Sequence, residues 1–227
     1  MNTKNKTVAV LTADIVKSTL MDDQFKQHLL NTEVKNFLEV NTSLIDYQVY
    51  RGDEFQFTVA RPEDAFLVAA LLRTFIITKT PDEMRYQRLY DVRIAIGIGK
   101  TSDTVEHDGE AYIISGHLID KMKKERIAVD TAWKEANELL SLHAMTIDAI
   151  ISKWSKRQAE IMLEVLLDVP RDRILSDMNI SNPTLSSFLK KSDAKLLKKI
   201  IEHSSKVISE NIKKDFQDVQ YLLYKTI

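Results

Sequence analysis

The chain has 227 residues, 44% of them apolar and 29% charged, with 32 basic and 33 acidic side chains for a net formal charge of -1. That composition belongs to a folded globular protein of one large or two small domains and excludes collagen-like, fibrous and wholly disordered architectures. With no cysteine, disulfides, thiolate metal sites and cysteine nucleophiles drop out together. With no apolar run near the roughly 20 residues of a membrane span, the chain reads as cytoplasmic, without a membrane partner.

The run Val8 to Ile15 is β-branched and apolar, which predicts a buried strand carrying Asp14 near its carboxyl end. Phe25, Leu29, Leu30, Val34, Phe37 and Leu38 then recur at helical spacing and predict one helix from about Asp23 to Glu39. Leu44 to Tyr50 and Phe55 to Val59 predict two short strands flanking Arg51, Gly52 and Asp53, a hairpin. Pro62 opens a helix so rich in apolar residues that most of its circumference is expected to be buried. Val92 to Ile98 is a further strand. After a polar loop around Thr101 to Gly109, Tyr112, Ile113, Leu118, Ile119 and Met122 fall in helical register. This order predicts a split βαβ arrangement in which helices cover one face of a mainly antiparallel sheet.

After about Val129 every strong signal is helical, and all five glycines precede residue 117. The expected division is a first domain over residues 1–130, a connecting helix over 131–154 and a helical domain over 155–227. Residues 151–227 carry 14 Lys and Arg against 10 Asp and Glu, while the rest of the chain is acidic. A surplus of that size is compatible with a polyanionic partner without requiring one.

Asp14 at a strand end and Asp53 in the hairpin are expected to meet at one mouth of the sheet. Two carboxylates held there repel each other unless a cation lies between them, and a hard divalent ion, magnesium or manganese, has the matching preference for oxygen. Each residue taken singly also has an ordinary use, Asp14 to end a strand and Asp53 to make a turn. Gly52 permits close backbone approach, and Glu54 alternates to the other face from Asp53.

The segment Leu11-Thr-Ala-Asp-Ile-Val-Lys-Ser-Thr19 resembles the first strand and phosphate loop of class III nucleotidyl cyclases, and Arg51-Gly-Asp-Glu-Phe55 resembles their metal-binding hairpin. The GDEF portion is also similar to the diguanylate cyclase hairpin, and Val92 to Gly99 to a later cyclase strand. Over roughly residues 8 to 125 the resemblance implies an α+β, ferredoxin-like palm. It implies a metal held by Asp14, the main-chain carbonyl of Ile15 and Asp53. A nucleotide would then lie along Ile15, Val16, Lys17, Ser18 and Thr19, with Arg51 and Gly52 beside it. The chain departs from the cyclase pattern where a purine-selecting lysine is usual, at Val49, and where an asparagine and an arginine serve the transition state, at Ile113 and His117. Arg51 replaces the first glycine of the diguanylate signature. Loss of a cationic clamp on developing phosphate charge costs about a hundredfold to a hundred-thousandfold in rate, which favours binding over turnover.

In the helical part, Ser155 and Gln158 form an S-x-x-Q capping box before Ile161, Met162, Val165 and Leu166. Pro170 breaks that helix, Arg171 to Met178 makes a short second one, and Ser181 caps a third with Pro183 in its first turn. This succession resembles a helix-turn-helix DNA-binding domain, with Asn179 in the turn. The resemblance implies that Asn182, Thr184, Ser186 and Ser187 meet base edges while Lys190 and Lys191 hold phosphates. A small bundle used for dimerisation is the plainer alternative. Leu196, Leu197, Ile200, Ile201, Val207, Ile208 and Ile212 trace a further amphipathic helix, and Phe216, Tyr221, Leu222, Leu223 and Tyr224 end the chain with an apolar face.

A palm followed by a helix-turn-helix resembles the SatD family of bacterial proteins. Family membership alone supplies no activity; the two halves read together predict a DNA-binding regulator whose first domain senses a nucleotide or related phosphate ligand through magnesium, with a homodimer as one way to read a symmetric site. The alternatives are an active nucleotidyl cyclase or nucleotidyltransferase and a protein-interaction module.

Overall fold

The structure, a computed structural model, describes residues 6–50, 52–101 and 107–225, without the side chains of residues 216 and 218–225. Arg51 and the apolar side chains expected at Phe216, Tyr221, Leu222, Leu223 and Tyr224 lie outside the described residues.

The fold is α+β around a mixed sheet of five described strands: β1 (Lys6–Val16), β2 (Leu44–Val49), β3 (Glu54–Val59), β4 (Asp91–Thr101) and β5 (Ile127–Thr131). Their order is β2-β3-β1-β4-β5, antiparallel throughout except for the parallel pair β4/β5. β5 lies in a stretch where the sequence carried no strong strand signal. It is five residues long and takes its place by pairing Ile94 to Ile98 with Ile127 to Thr131, a long-range contact that local pattern does not encode.

Helices cover both faces of the sheet, which corrects the expectation of one covered face. Alternation along β1 sends Ala9, Leu11, Ala13 and Ile15 to one side. There they pack with Phe55, Phe57, Ile94 and Ile96 against α3 (Ala65–Thr78), a helix buried on nearly every side. The helix predicted over Asp23 to Glu39 is present as α1 (Asp23–His28) and α2 (Lys35–Asn41), joined through a π-helical turn at Leu29–Val34. It packs on the same side through Leu29, Leu30, Val34 and Leu38. On the opposite side, Val8 and Val10 meet Ala111 of α4 (Glu110–Lys121), and Ala95 meets Ile119. Gly97 lets α4 settle directly on the strand: a Cβ there would lie 2.3 Å from the carbonyl oxygen of Ala111 and 2.6 Å from the nitrogen of Ser115.

Arg73 of α3 has no exposed surface and ties three elements together. It forks onto Asp91 at 2.8 and 3.0 Å and donates to the Asp148 carboxylate at 2.8 Å and the Ser152 hydroxyl at 2.9 Å, both contributed by or adjoining α5 (Lys134–Ile151). The Asp148 carboxylate also accepts the Arg126 main-chain amide at 2.8 Å. A buried guanidinium is tolerated here because its donors meet paired acceptors.

The remaining described helices are α6 (Lys156–Leu166), α7 (Arg171–Asp177), α8 (Asn182–Lys191) and the long α9 (Ala194–Lys225). The main apolar core runs without a break from the sheet through α5 into Trp154, Ala159 and Met162 around α6 and Leu197, Ile201 and Ile208 of α9. A second, smaller core of Ile161, Ile174 and Leu185 holds α6, α7 and α8 to one another. Among the described residues no helix is long and apolar enough to cross a membrane.

Candidate functional site

The acidic end of β1 is built by strand register. Asp14 lies between Glu54 of β3 and Arg93 of β4, all three in register across the sheet. Directly opposed residues share a face, so Glu54 rather than Asp53 stands beside Asp14. Asp53 is one step further along, where its carbonyl oxygen accepts the Ile15 amide at 3.2 Å. The hairpin closes through Tyr50 N–H to the Glu54 carbonyl and Gly52 N–H to the Tyr50 carbonyl, each 2.7 Å, with Gly52 at φ 69°. Its chain neighbours aside, no heavy atom of the described residues lies within 4 Å of a Cβ built on Gly52, so glycine serves the left-handed backbone there rather than a close approach.

After β1 the chain turns through Lys17, also left-handed at φ 57°, into a single 3-10 turn at Ser18–Leu20. Lys17 and Thr19 are exposed, Val16 and Ser18 half-buried. The Ser18 hydroxyl donates to the Asp53 carboxylate at 2.5 Å. Asp14 has a different partner: Arg93 Nε donates to its Oδ2 at 3.1 Å, Arg93 Nη2 donates to the same oxygen, and Arg93 Nη1 reaches the Met122 carbonyl at 3.1 Å. Sequence reasoning placed Asp14 and Asp53 at one end of the sheet and missed Arg93. Its position opposite Asp14 becomes visible only when the β1/β4 register is known.

This donor set does not fit a divalent ion as it stands. Asp14 Oδ2 accepts two N–H groups from the Arg93 guanidinium. Among the described residues no three acidic or histidine side chains gather as a metal cluster.

Beside this mouth, on the α4 face, the sheet edge and α4 enclose a cleft of about 760 Å³. Its floor is polar: Gln56 Nε2 donates to Thr12 Oγ1 at 2.8 Å, and Thr12 Oγ1 donates to Ser115 Oγ at 3.0 Å. Val49, Ile113 and His117, the three positions that depart from the cyclase pattern, all line it. So do Glu54 and Asp120, and no lysine or arginine does among the described residues. Tyr50 and Tyr112 form its aromatic wall. Burial raises both phenol pKa values, with the Asp46 carboxylate adding to each, so both hydroxyls keep their protons at neutral pH. At one rim, His107 Nδ1 lies 3.0 Å from the Asp46 carboxylate.

The second candidate surface is α8. Ser181 caps it, Pro183 occupies its first turn, and Asn179 holds the preceding turn at φ 48°. Asn182, Ser186, Ser187, Lys190 and Lys191 are exposed, while Thr184 is half-buried and pairs with Ser181 at 2.8 Å. Arg171, which sequence reasoning passed over, donates to Asn182 Oδ1 at 2.8 Å and to Ser186 Oγ at 3.0 Å, fixing two of the side chains expected to read bases. At the other end, Trp154 Nε1 donates to the Ser192 carbonyl at 3.2 Å, while ahead of the Asn179 turn Arg157 Nη2 donates to the Met178 carbonyl at 2.9 Å. α8 is thus a held element whose outward face is polar and cationic. Comparison of the chain with protein-family models and with curated proteins found no match.

Proposed function

We propose that this chain is a DNA-binding regulator: α8 reads duplex DNA, and the palm-like first part holds a nucleotide or related phosphate-bearing ligand. The observation that carries the reading is the outward face of α8. Lys190 and Lys191 are exposed and have no carboxylate within ion-pair reach among the described residues, on a helix fixed at both ends. Exposed cations beside short polar side chains suit phosphate anchoring next to base-edge contacts. The helix-turn-helix reading draws further support from the separate Ile161, Ile174 and Leu185 core, which lets three short helices keep their mutual arrangement.

The palm reading is supported by strand order. β4-β1-β3-β2 with a helical crossover after β1 and after β3 is the order of a split βαβ, ferredoxin-like unit, and β5 extends it. The unbroken core from sheet to α6 and α9 offers a route by which ligand occupancy would bias α8, provided the ligand favours one of two conformations. An active nucleotidyl cyclase or transferase is the second reading, since Val49, Ile113 and His117 do share one cleft. Among the described residues that cleft has no lysine or arginine to stabilise developing phosphate charge.

The test is anisotropy of a labelled DNA duplex over a salt series. Affinity is expected to fall steeply with salt, and Lys190→Ala with Lys191→Ala to flatten the slope by about two while weakening all sequences alike. Absent or salt-independent binding removes the reading. Cyclic or dinucleotide products from nucleoside triphosphates, with magnesium or manganese present, would install the second one.

A further inference from the structure

We propose that Arg171 decides which base α8 reads: by taking the carboxamide oxygen of Asn182 and the hydroxyl oxygen of Ser186 it leaves both side chains as hydrogen-bond donors, and the helix selects guanine over adenine at the base pair they face. The inference rests on the reading of α8 as a DNA-binding helix and adds to it the base that the helix prefers.

Arginine carries donors and no acceptor, so the atom of Asn182 that meets Arg171 Nε at 2.8 Å is the oxygen, and the amide nitrogen is left to donate elsewhere. Arg171 Nη2 donates to Ser186 Oγ at 3.0 Å, which fills one acceptor position of that hydroxyl and keeps its proton to give. The same nitrogen lies 3.3 Å from the Asn182 carbonyl oxygen, a third point of attachment. Residues 182 and 186 are one turn apart, so the guanidinium spans a single face of α8, on which Lys190 follows one turn later. Arg171, Asn182, Ser186 and Lys190 are all exposed, whereas Thr184 is engaged with Ser181 at 2.8 Å. The two helices that carry the fork are fixed to each other, since Ile174 of α7 and Leu185 of α8 share the small core. Adenine offers the major groove an acceptor and a donor, and an asparagine reads it with oxygen and nitrogen together; guanine offers two acceptors, N7 and O6, and is met by two donors. With its oxygen turned to a guanidinium, Asn182 is matched to the second pattern.

Randomised DNA duplexes selected with the full chain supply the test, followed by anisotropy on duplex pairs that differ only at the selected position. The wild-type protein is expected to enrich guanine there and to bind it about tenfold tighter than adenine, within the range of one good bidentate contact. Arg171→Ala frees the Asn182 oxygen and is expected to abolish the guanine preference and move it toward adenine. Asn182→Asp keeps an acceptor for Arg171 but removes the donor, and is expected to bring the two bases within about twofold of each other. An arginine that merely staples α7 to α8 would weaken all sequences alike in Arg171→Ala and leave the ratio unmoved, which overturns the proposal. So does a guanine preference that survives Asn182→Asp, or a wild type that binds DNA but favours adenine or neither base; in each of these cases α8 still binds DNA. Failure to bind any duplex removes the reading of α8 and this inference with it. Circular dichroism establishes folding, and if Arg171→Ala does not fold, the wild type and Asn182→Asp decide between the same outcomes.

Discussion

Two arginine–aspartate pairs meet on β4, only two residues apart, and they are built for different ends. Asp91 receives the fork of Arg73, a guanidinium with no exposed surface whose other donors are taken by Asp148 and Ser152. Arg93 meets Asp14 at the edge of a cleft, with about a quarter of each side chain open to solvent. The first pair is satisfied on every side and cannot exchange partners without opening the core. The second is partly open to solvent. Burial and completeness of hydrogen bonding, not residue type, separate a structural ion pair from a candidate site.

The largest effect is expected where that contrast is broken from the buried side. Arg73→Met leaves Asp91 and Asp148 without their shared cation and should cost about 3–5 kcal/mol in chemical denaturation. A loss under about 1 kcal/mol would mean that the knot is no more than a surface pair. Next comes the seat of α4, on which the Met122 anchor of Arg93 depends. Gly97→Ala drives a methyl into the α4 backbone and should cost about 1–3 kcal/mol while loosening the cleft, read as faster amide exchange along α4.

A smaller, pH-dependent effect is expected at the α5/α9 contact. His143, 8% exposed, accepts or donates a hydrogen bond with the Ser204 hydroxyl at 3.0 Å and lies 3.2 Å from a ring nitrogen of His203. Burial and the neighbouring imidazole lower its pKa below the ordinary 6.5. The unfolded chain therefore binds the proton more readily. Stability from neutral His143 is complete above pH 6.5 and is lost as the pH falls through the lowered folded value. Thermal unfolding midpoints should fall on that acid side, and His143→Gln should flatten the fall. The smallest effect returns to the accessible pair: Arg93→Gln should change stability by about 1 kcal/mol or less, since the pair is partly screened. A loss as large as that of Arg73→Met would erase the distinction between the two.

Much of the architecture was legible from local pattern. β1, the β2/β3 hairpin, β4, α3 and α4 follow from period and turn residues, and the Ser155–Gln158 capping box forms as its spacing predicts. β5 was not legible, because five residues without clear alternation become a strand only by pairing with β4. The site was half legible. Asp14 and Asp53 reach the same end of the sheet, but their carboxylates hold Arg93 and Ser18.

The amino-acid sequence by itself determined the composition class, the periodicities and the caps, because those depend on neighbours within a few residues. Only the tertiary structure decided that Glu54 and Arg93 flank Asp14, that Val49, Ile113 and His117 line one cleft, and that helices cover both faces of the sheet. Register and packing join residues tens of positions apart, and a single residue's slip along a strand would send each of those side chains to the opposite face.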